Sequence, residues 1–146
     1  MGLITEKLVM LELDCSTKKE VIERMAKAFA EEGFVEDYEE FLTALYKRED
    51  IAPTAVGYDV GLPHGTSKTV KKPGIAFARL KTPIMWNVEE KEIAKMVFML
   101  AIPDKGKGTD KISVLIDLSK KILDDSFREK VMKLSKVSEI ARLINE

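Results

Sequence analysis

The run Gly61-Leu62-Pro63-His64-Gly65 holds the only histidine of the chain between residues that constrain or relax the backbone. A neutral imidazole is a competent nucleophile, and histidine is the side chain that ordinarily titrates near neutral pH. Pro63 restricts φ and removes one amide, Gly65 permits close backbone approach, and Thr66 and Ser67 add hydroxyl and amide donors directly after the ring. With no apolar helical face to cover it, the segment displays the imidazole. The chemistry it suits is phosphoryl transfer to nitrogen, which needs in-line access and cations or donors around the equatorial oxygens. Arg48 is the natural cation, because a guanidinium offers paired donors to phosphate oxygens. Equally, an arginine near a helix C-terminus is what the macrodipole favours without any ligand. Lys68, Lys71 and Lys72 follow the histidine and either make its surroundings electropositive or form a solvated face.

Other chemistries find little support. Cys15 is the only cysteine, so no internal disulfide forms, and one histidine with one cysteine falls short of the four ligands of a structural zinc site. Cys15 reads as a small, partly buried side chain at a strand end. No metal and no cofactor is expected. Gly106-Lys107-Gly108 lacks the spacing of a phosphate-binding P-loop, and no distinctive serine, histidine and carboxylate trio is present.

Regular elements must hold the histidine segment in place. Leu8 to Leu13 is short and apolar and predicts a strand. Thr17 and Glu20 have capping-box spacing ahead of Val21, Ile22, Met25, Ala28 and Phe29, which recur at helical period until Gly33. Asp37 and Glu40 repeat the signature before Tyr38, Phe41, Leu42, Leu45 and Tyr46, a second helix that runs toward Arg48 and ends before Pro53. From Ile51 to Pro73 glycines and prolines accumulate, predicting a long constrained loop with room for one short strand. Ile75 to Leu80 and Lys95 to Ile102 predict two more strands, the second apolar enough to be covered on both faces, with Trp86 anchoring the turn region between them. Pro103 to Asp110 reads as a flexible loop. Three apolar stripes then close the chain: Ile112 to Ile122, Phe127 to Leu134, and Ile140 to Ile144. The expectation is an α/β fold, a central mixed β-sheet flanked by helices, in a single domain spanning 1–146.

Composition sets the outer bounds. With 24 basic against 25 acidic side chains, bulk electrostatics offers no reason for nucleic-acid binding. The longest apolar stretch, Met96 to Ile102, is far short of the roughly 20 residues a membrane-spanning helix needs, and the N-terminus lacks a basic-then-apolar signal. A cytoplasmic protein without direct membrane insertion is expected.

From Arg48 through Leu118 the sequence resembles the enzyme IIA (EIIA) domains of the fructose and mannitol class of the bacterial phosphoenolpyruvate-dependent sugar phosphotransferase system (PTS). The run Arg48-Glu49-Asp50-Ile51-Ala52-Pro53-Thr54-Ala55-Val56-Gly57, ending in Leu62-Pro63-His64-Gly65, is similar to their Arg-Glu pair, glycine-rich turn and Pro-His-Gly centre. Ser67, Val70, Lys72-Pro73, Ile75 to Arg79, Trp86 and Val97 to Pro103 resemble the fructose branch, and with the C-terminal helices the resemblance covers about the whole chain.

The resemblance implies that His64 accepts a phosphoryl group from the phosphocarrier HPr and passes it to a IIB component, with a IIC membrane permease completing uptake of a fructose-like sugar. It implies that Arg48 orients or neutralises the phosphoryl group and that the Thr54 hydroxyl lies near the site. Two departures stand out. Lys111 occupies the position of a second histidine, where it is either a fixed positive charge or an ordinary lysine at a helix start. Ala55, Tyr58 and Asp59 stand where small residues are common, and a carboxylate close to His64 would repel a phosphoryl group and favour imidazolium unless the Asp59 side chain points away. Tyr58 and Leu62 are expected among exposed apolar residues near His64 that dock partners, with packing into the sheet the equal alternative for Tyr58. Two alternatives share this fold: a nitrogen-type regulatory module, whose phosphorylation controls partner proteins, and a degenerate interaction domain without phosphotransfer.

Overall fold

The computed structural model describes residues 2–104 and 108–146, with side chains in the second span described from residue 113. The elements are β1 (Val9–Leu13), α1 (Lys18–Glu31), α2 (Tyr38–Ile51), β2 (Val60–Gly61), β3 (His64–Ser67), β4 (Gly74–Asn87), β5 (Glu92–Pro103), α3 (Gly108–Leu123), α4 (Asp125–Lys133) and α5 (Val137–Asn145). A single 3-10 turn, Glu6–Leu8, precedes β1.

Both capping signatures work as their spacing predicts. The Thr17 side chain accepts from the Glu20 amide at 3.2 Å, and Asp37 accepts from the Glu40 amide at 3.1 Å. Removing such a cap typically costs about 1 kcal/mol. Gly33, at φ 80, turns the chain out of α1 so that the Phe34 amide reaches back to the Phe29 carbonyl at 3.0 Å.

β1 pairs parallel with β4, β4 antiparallel with β5, and β2 and β3 both lie parallel along the outer side of β5. The sheet is therefore mixed and flanked by helices, as the order of elements implied. Met96 to Ile102 of β5 are all buried because both faces of the strand are covered. A Cβ built on Gly74 would lie 2.6 Å from the Phe34 ring and 2.8 Å from Phe29, so that face of β4 meets α1 and the segment after it. Phe77 points the other way. Its ring centroid lies 4.9 Å from Phe98, which in turn lies 5.9 Å from Phe127 of α4. Each such ring contributes roughly 1.5–3 kcal/mol through burial.

Several expectations change. The long loop from Ile51 to Pro73 contains two short strands, β2 and β3, and His64 opens the second of them. α2, by contrast, passes Arg48 and ends at Ile51, before Pro53, as expected. β4 extends to Asn87 where the sequence predicted an end near Leu80, because a register shift between Arg79 and Ile84 accommodates Lys81-Thr82-Pro83. Trp86 consequently belongs to the strand, and the turn is the short segment after Asn87. The loop expected over Pro103 to Asp110 falls partly on 105–107, outside the described residues, while α3 begins at Gly108. Among the described residues no helix is long and apolar enough to cross a membrane.

Candidate functional site

β2 and β3 behave as one interrupted edge strand. Val60 pairs with Met96, Gly61 with Val97 and His64 with Leu100, so the register holds across Leu62-Pro63. An edge tolerates proline, which cannot donate to a ladder. The Pro63 carbonyl still accepts from the Leu100 amide at 3.1 Å. His64, half-buried, and Thr66, exposed, share one side of β3, whereas Gly65 and Ser67 are buried on the other.

Two contacts orient the imidazole and its neighbour. The His64 Nδ1 lies 2.9 Å from the Leu62 carbonyl oxygen. A carbonyl only accepts, so this bond puts the ring proton on Nδ1 and leaves the lone pair on Nε2. On the other side of the chain, Gly65 lies against α2, and the face of α2 that meets it carries Arg48 one turn further on. The result is a depression of about 250 Å³ lined by Ala44, Lys47, Arg48, Ile51, His64, Gly65 and Thr66. Arg48 Nη1 donates to the Ala52 carbonyl at 2.9 Å, which satisfies a group at the helix C-terminus and steadies the guanidinium beside the histidine. The bond to Ala52 is the helix-terminal reading of Arg48, and its place in the lining of the depression leaves the guanidinium near His64.

Lys47 also lines this depression and was not singled out by the sequence, because only the packing of Gly65 against Ala44 shows which face of α2 meets the histidine strand. Lys71 and Lys72 are engaged elsewhere: Lys71 pairs with Glu36 at 3.9 Å, and Lys72 sits 4.5 Å above the Phe34 ring.

Thr54 is buried rather than displayed. Its hydroxyl donates to Glu49 Oε1 and accepts from Trp86 Nε1 at 3.3 Å, its amide donates to Glu49 Oε2 at 3.0 Å, and its carbonyl accepts from the Leu62 amide at 2.7 Å. The Glu49 carboxylate, only 8% exposed, forms an ion pair with Lys18 at 2.6 Å, and Lys18 also donates to the Trp86 carbonyl at 3.0 Å. A Cβ on Gly61 would come within 2.7 Å of the Trp86 ring, so only glycine fits there. The Lys111 side chain lies outside the described residues.

The departures in the turn before β2 have a backbone basis. Gly57, Tyr58 and Asp59 all adopt positive φ, at 85, 57 and 60°, a region that favours glycine and explains why small residues suit it. Two contacts hold the larger side chains: the Arg128 guanidinium lies 3.9 Å over the Tyr58 ring, and Asp59 pairs with Lys95 at 3.6 Å. Tyr58 is 53% exposed, as a docking residue would be, but Leu62 is 4% exposed and belongs to the core. Among the described residues, Ile51, Val56 and Leu123 are also exposed apolar side chains, and Val56 and Leu123 line one depression together. Among the described residues no group of three or more His, Cys, Asp or Glu side chains could hold a metal ion.

The site is thus a mixed sheet with one oriented imidazole at its edge and two cationic side chains lining the same depression. The chain belongs to the family described as "Phosphoenolpyruvate-dependent sugar phosphotransferase system, EIIA 2", whose model matches residues 2–146. EIIA components are phosphoryl carriers of that system, and this chain is one of them. It is 35% identical over 126 residues to the PTS system fructose-specific EIIA component of Haloferax volcanii, covering 86% of this chain and 81% of that protein. It is 29% identical to the PTS system fructose-like EIIA component of Escherichia coli, covering 87% and 85%. Against the E. coli 2-O-alpha-mannosyl-D-glycerate-specific EIIABC component it is 30% identical, yet spans only 20% of that longer protein. The crystal structure of IIA mannitol from E. coli superposes with a TM-score of 0.80 at 26% identity, covering 96% of this chain and 97% of that one. The nitrogen regulatory protein IIA-Ntr of Neisseria meningitidis shares the fold, with a TM-score of 0.86 at 24% identity over 97% and 96% of the two chains.

Proposed function

We propose that His64 is the acceptor, that Nε2 is the nitrogen phosphorylated, and that residues 1–146 act as a single EIIA domain in the cytoplasm. The observation that carries this reading is the Nδ1 contact with the Leu62 carbonyl inside a depression that also holds Arg48 and Lys47. The Nε2 lone pair attacks phosphorus, the bond from phosphorus to the donor breaks with its electron pair leaving on the donor, and the equatorial oxygens find the Arg48 and Lys47 cations. Nδ1 keeps its proton throughout, so the cationic phosphoimidazole that forms is stabilised by the Leu62 carbonyl. That charge makes the nitrogen a good leaving group for onward transfer.

The donor is phospho-HPr and the onward acceptor a IIB component, served by a IIC permease. The solved complex of enzyme IIA mannitol with phosphorylated IIB mannitol, whose IIA matches this chain at 26% identity and a TM-score of 0.80, supports the IIB step. The fructose-specific and fructose-like relatives support a fructose-like sugar. Arg48 acts on the phosphoryl group directly, Thr54 acts by shaping the segment before His64, and Lys111 supplies a positive charge in place of a second histidine.

The test is transfer from phosphoenolpyruvate through enzyme I and HPr, read by intact mass on wild type, His64→Ala and Lys111→Ala. One phosphoryl mass on wild type, none on His64→Ala and slower gain on Lys111→Ala are expected. A phosphoryl mass on His64→Ala would overturn the assignment.

A further inference from the structure

We infer that Glu49 is a positioning residue for the histidine, acting through Thr54 and Leu62 to set the imidazole tautomer and direction. This rests on the reading of His64 as the acceptor. Three links connect the two side chains. The Glu49 carboxylate takes both the amide and the hydroxyl of Thr54. The Thr54 carbonyl takes the Leu62 amide at 2.7 Å, and the Leu62 carbonyl takes His64 Nδ1 at 2.9 Å. Each link leaves from the residue that the previous one holds, so the ring is tied to a carboxylate that it does not touch.

The carboxylate is itself immobilised. Lys18, from the first turn of α1, pairs with Glu49 Oε2 at 2.6 Å and donates to the Trp86 carbonyl, while Trp86 Nε1 holds the Thr54 hydroxyl from the other direction. Elements distant in sequence (α1, α2, β4 and the 54–62 hairpin) therefore converge on one buried polar cluster at the base of the histidine strand. An ion pair this far withdrawn from water contributes little net stability compared with an apolar filling, and in some proteins such pairs impose one arrangement among several. Here the arrangement imposed is the position of the Leu62 carbonyl. Transfer between proteins is sensitive to this, because a misplacement of about 1 Å at the reacting atom can cost about 100-fold in rate.

The chain has one histidine, so its ring nitrogens are read without ambiguity by long-range 1H–15N correlation. In wild type the expected spectrum of the neutral ring at alkaline pH is the Nδ1–H tautomer. In Glu49→Gln we expect a mixture of the two tautomers and a maximal rate of phosphorylation by phospho-HPr at least tenfold lower, with KM for the donor within about twofold of wild type. Thr54→Val, which removes only the hydroxyl, should move both readouts in the same direction, the rate by about threefold. Unchanged ring signals together with an unchanged rate in folded Glu49→Gln would overturn the inference, and if that variant does not fold, the same result in Thr54→Val would overturn it. Should wild type accept no phosphoryl group while Glu49→Gln still alters the tautomer, the positioning stands and the acceptor assignment fails.

Discussion

Gly65 of β3 and Ala44 of α2 meet closely: a Cβ added to Gly65 would lie 3.4 Å from the Ala44 Cβ and 3.2 Å from the Leu45 amide nitrogen, tighter than ordinary contact. This closeness lets α2 lie along the histidine strand and brings Arg48, four residues beyond Ala44, to the same depression as His64. The tight atom is backbone, which a side-chain rotation cannot relieve. Gly65→Ala should therefore cost roughly 1–3 kcal/mol, and Gly65→Val more, by overpacking. Urea titration checks the stability, and transfer from phospho-HPr should slow more than fivefold in Gly65→Val, because α2 and its cations move off the strand.

Arg48 combines a helix-terminal bond with a place beside the imidazole. Arg48→Lys keeps the charge but loses the planar paired donors, so transfer should fall about tenfold. Arg48→Ala loses both and should fall about 100-fold, the scale seen when one preorganised donor to a developing charge is removed. Since the side chain is half-buried at a helix end, denaturation midpoints should change little in either variant. A large loss of stability with no change in rate would mean that the Ala52 bond is the whole role of Arg48.

Burial pushes the Cys15 thiol above its ordinary pKa, partly opposed by Arg24 and reinforced by Glu20 and Asp14. The native thiol should therefore react with iodoacetamide at pH 8 at least about tenfold more slowly than in denaturant. The folded state holds its thiol proton more tightly, so this contribution to stability is complete below the unfolded thiol pKa of about 8.5 and is lost as pH rises through the raised native value. Cys15→Ala should remove that alkaline component, which chemical denaturation at a series of pH values from neutral upward would detect.

Local chemistry was legible in the sequence where it is governed by near neighbours. Thr17 with Glu20 and Asp37 with Glu40 announced both early helices because a cap is satisfied within one turn. Pro63-His64-Gly65 announced the displayed imidazole for the same reason. What stayed hidden depends on distant partners. Nothing around Thr54 reveals that Lys18 and Trp86, far along the chain in opposite directions, help to bury its hydroxyl with Glu49. The length of β4 was obscured because Pro83 reads as a strand breaker unless the register shift that absorbs it is known. Leu62 looked exposed because its neighbours are glycine and proline, yet β5 and the hairpin enclose it.

Asp59 is the residue whose charge most plainly opposes a phosphoryl group, and its register decides how much that matters. The Asp59 carbonyl accepts from the Lys95 and Met96 amides, while His64 pairs with Leu100 on the same strand. Five residues of extended chain at about 3.3 Å each separate the two levels by about 16 Å. That is roughly twice the screening length of about 8 Å at physiological ionic strength. Lys95 further neutralises the carboxylate at 3.6 Å. Asp59→Asn should consequently leave the rate of phosphorylation within about twofold at physiological salt. Lys95→Met, which uncovers the carboxylate, should slow transfer at low ionic strength and regain the wild-type rate as salt is added. Stopped-flow phosphorylation across a salt series reads both variants, and a salt-independent loss in Lys95→Met would mean that Lys95 acts through β5 packing rather than through the Asp59 charge.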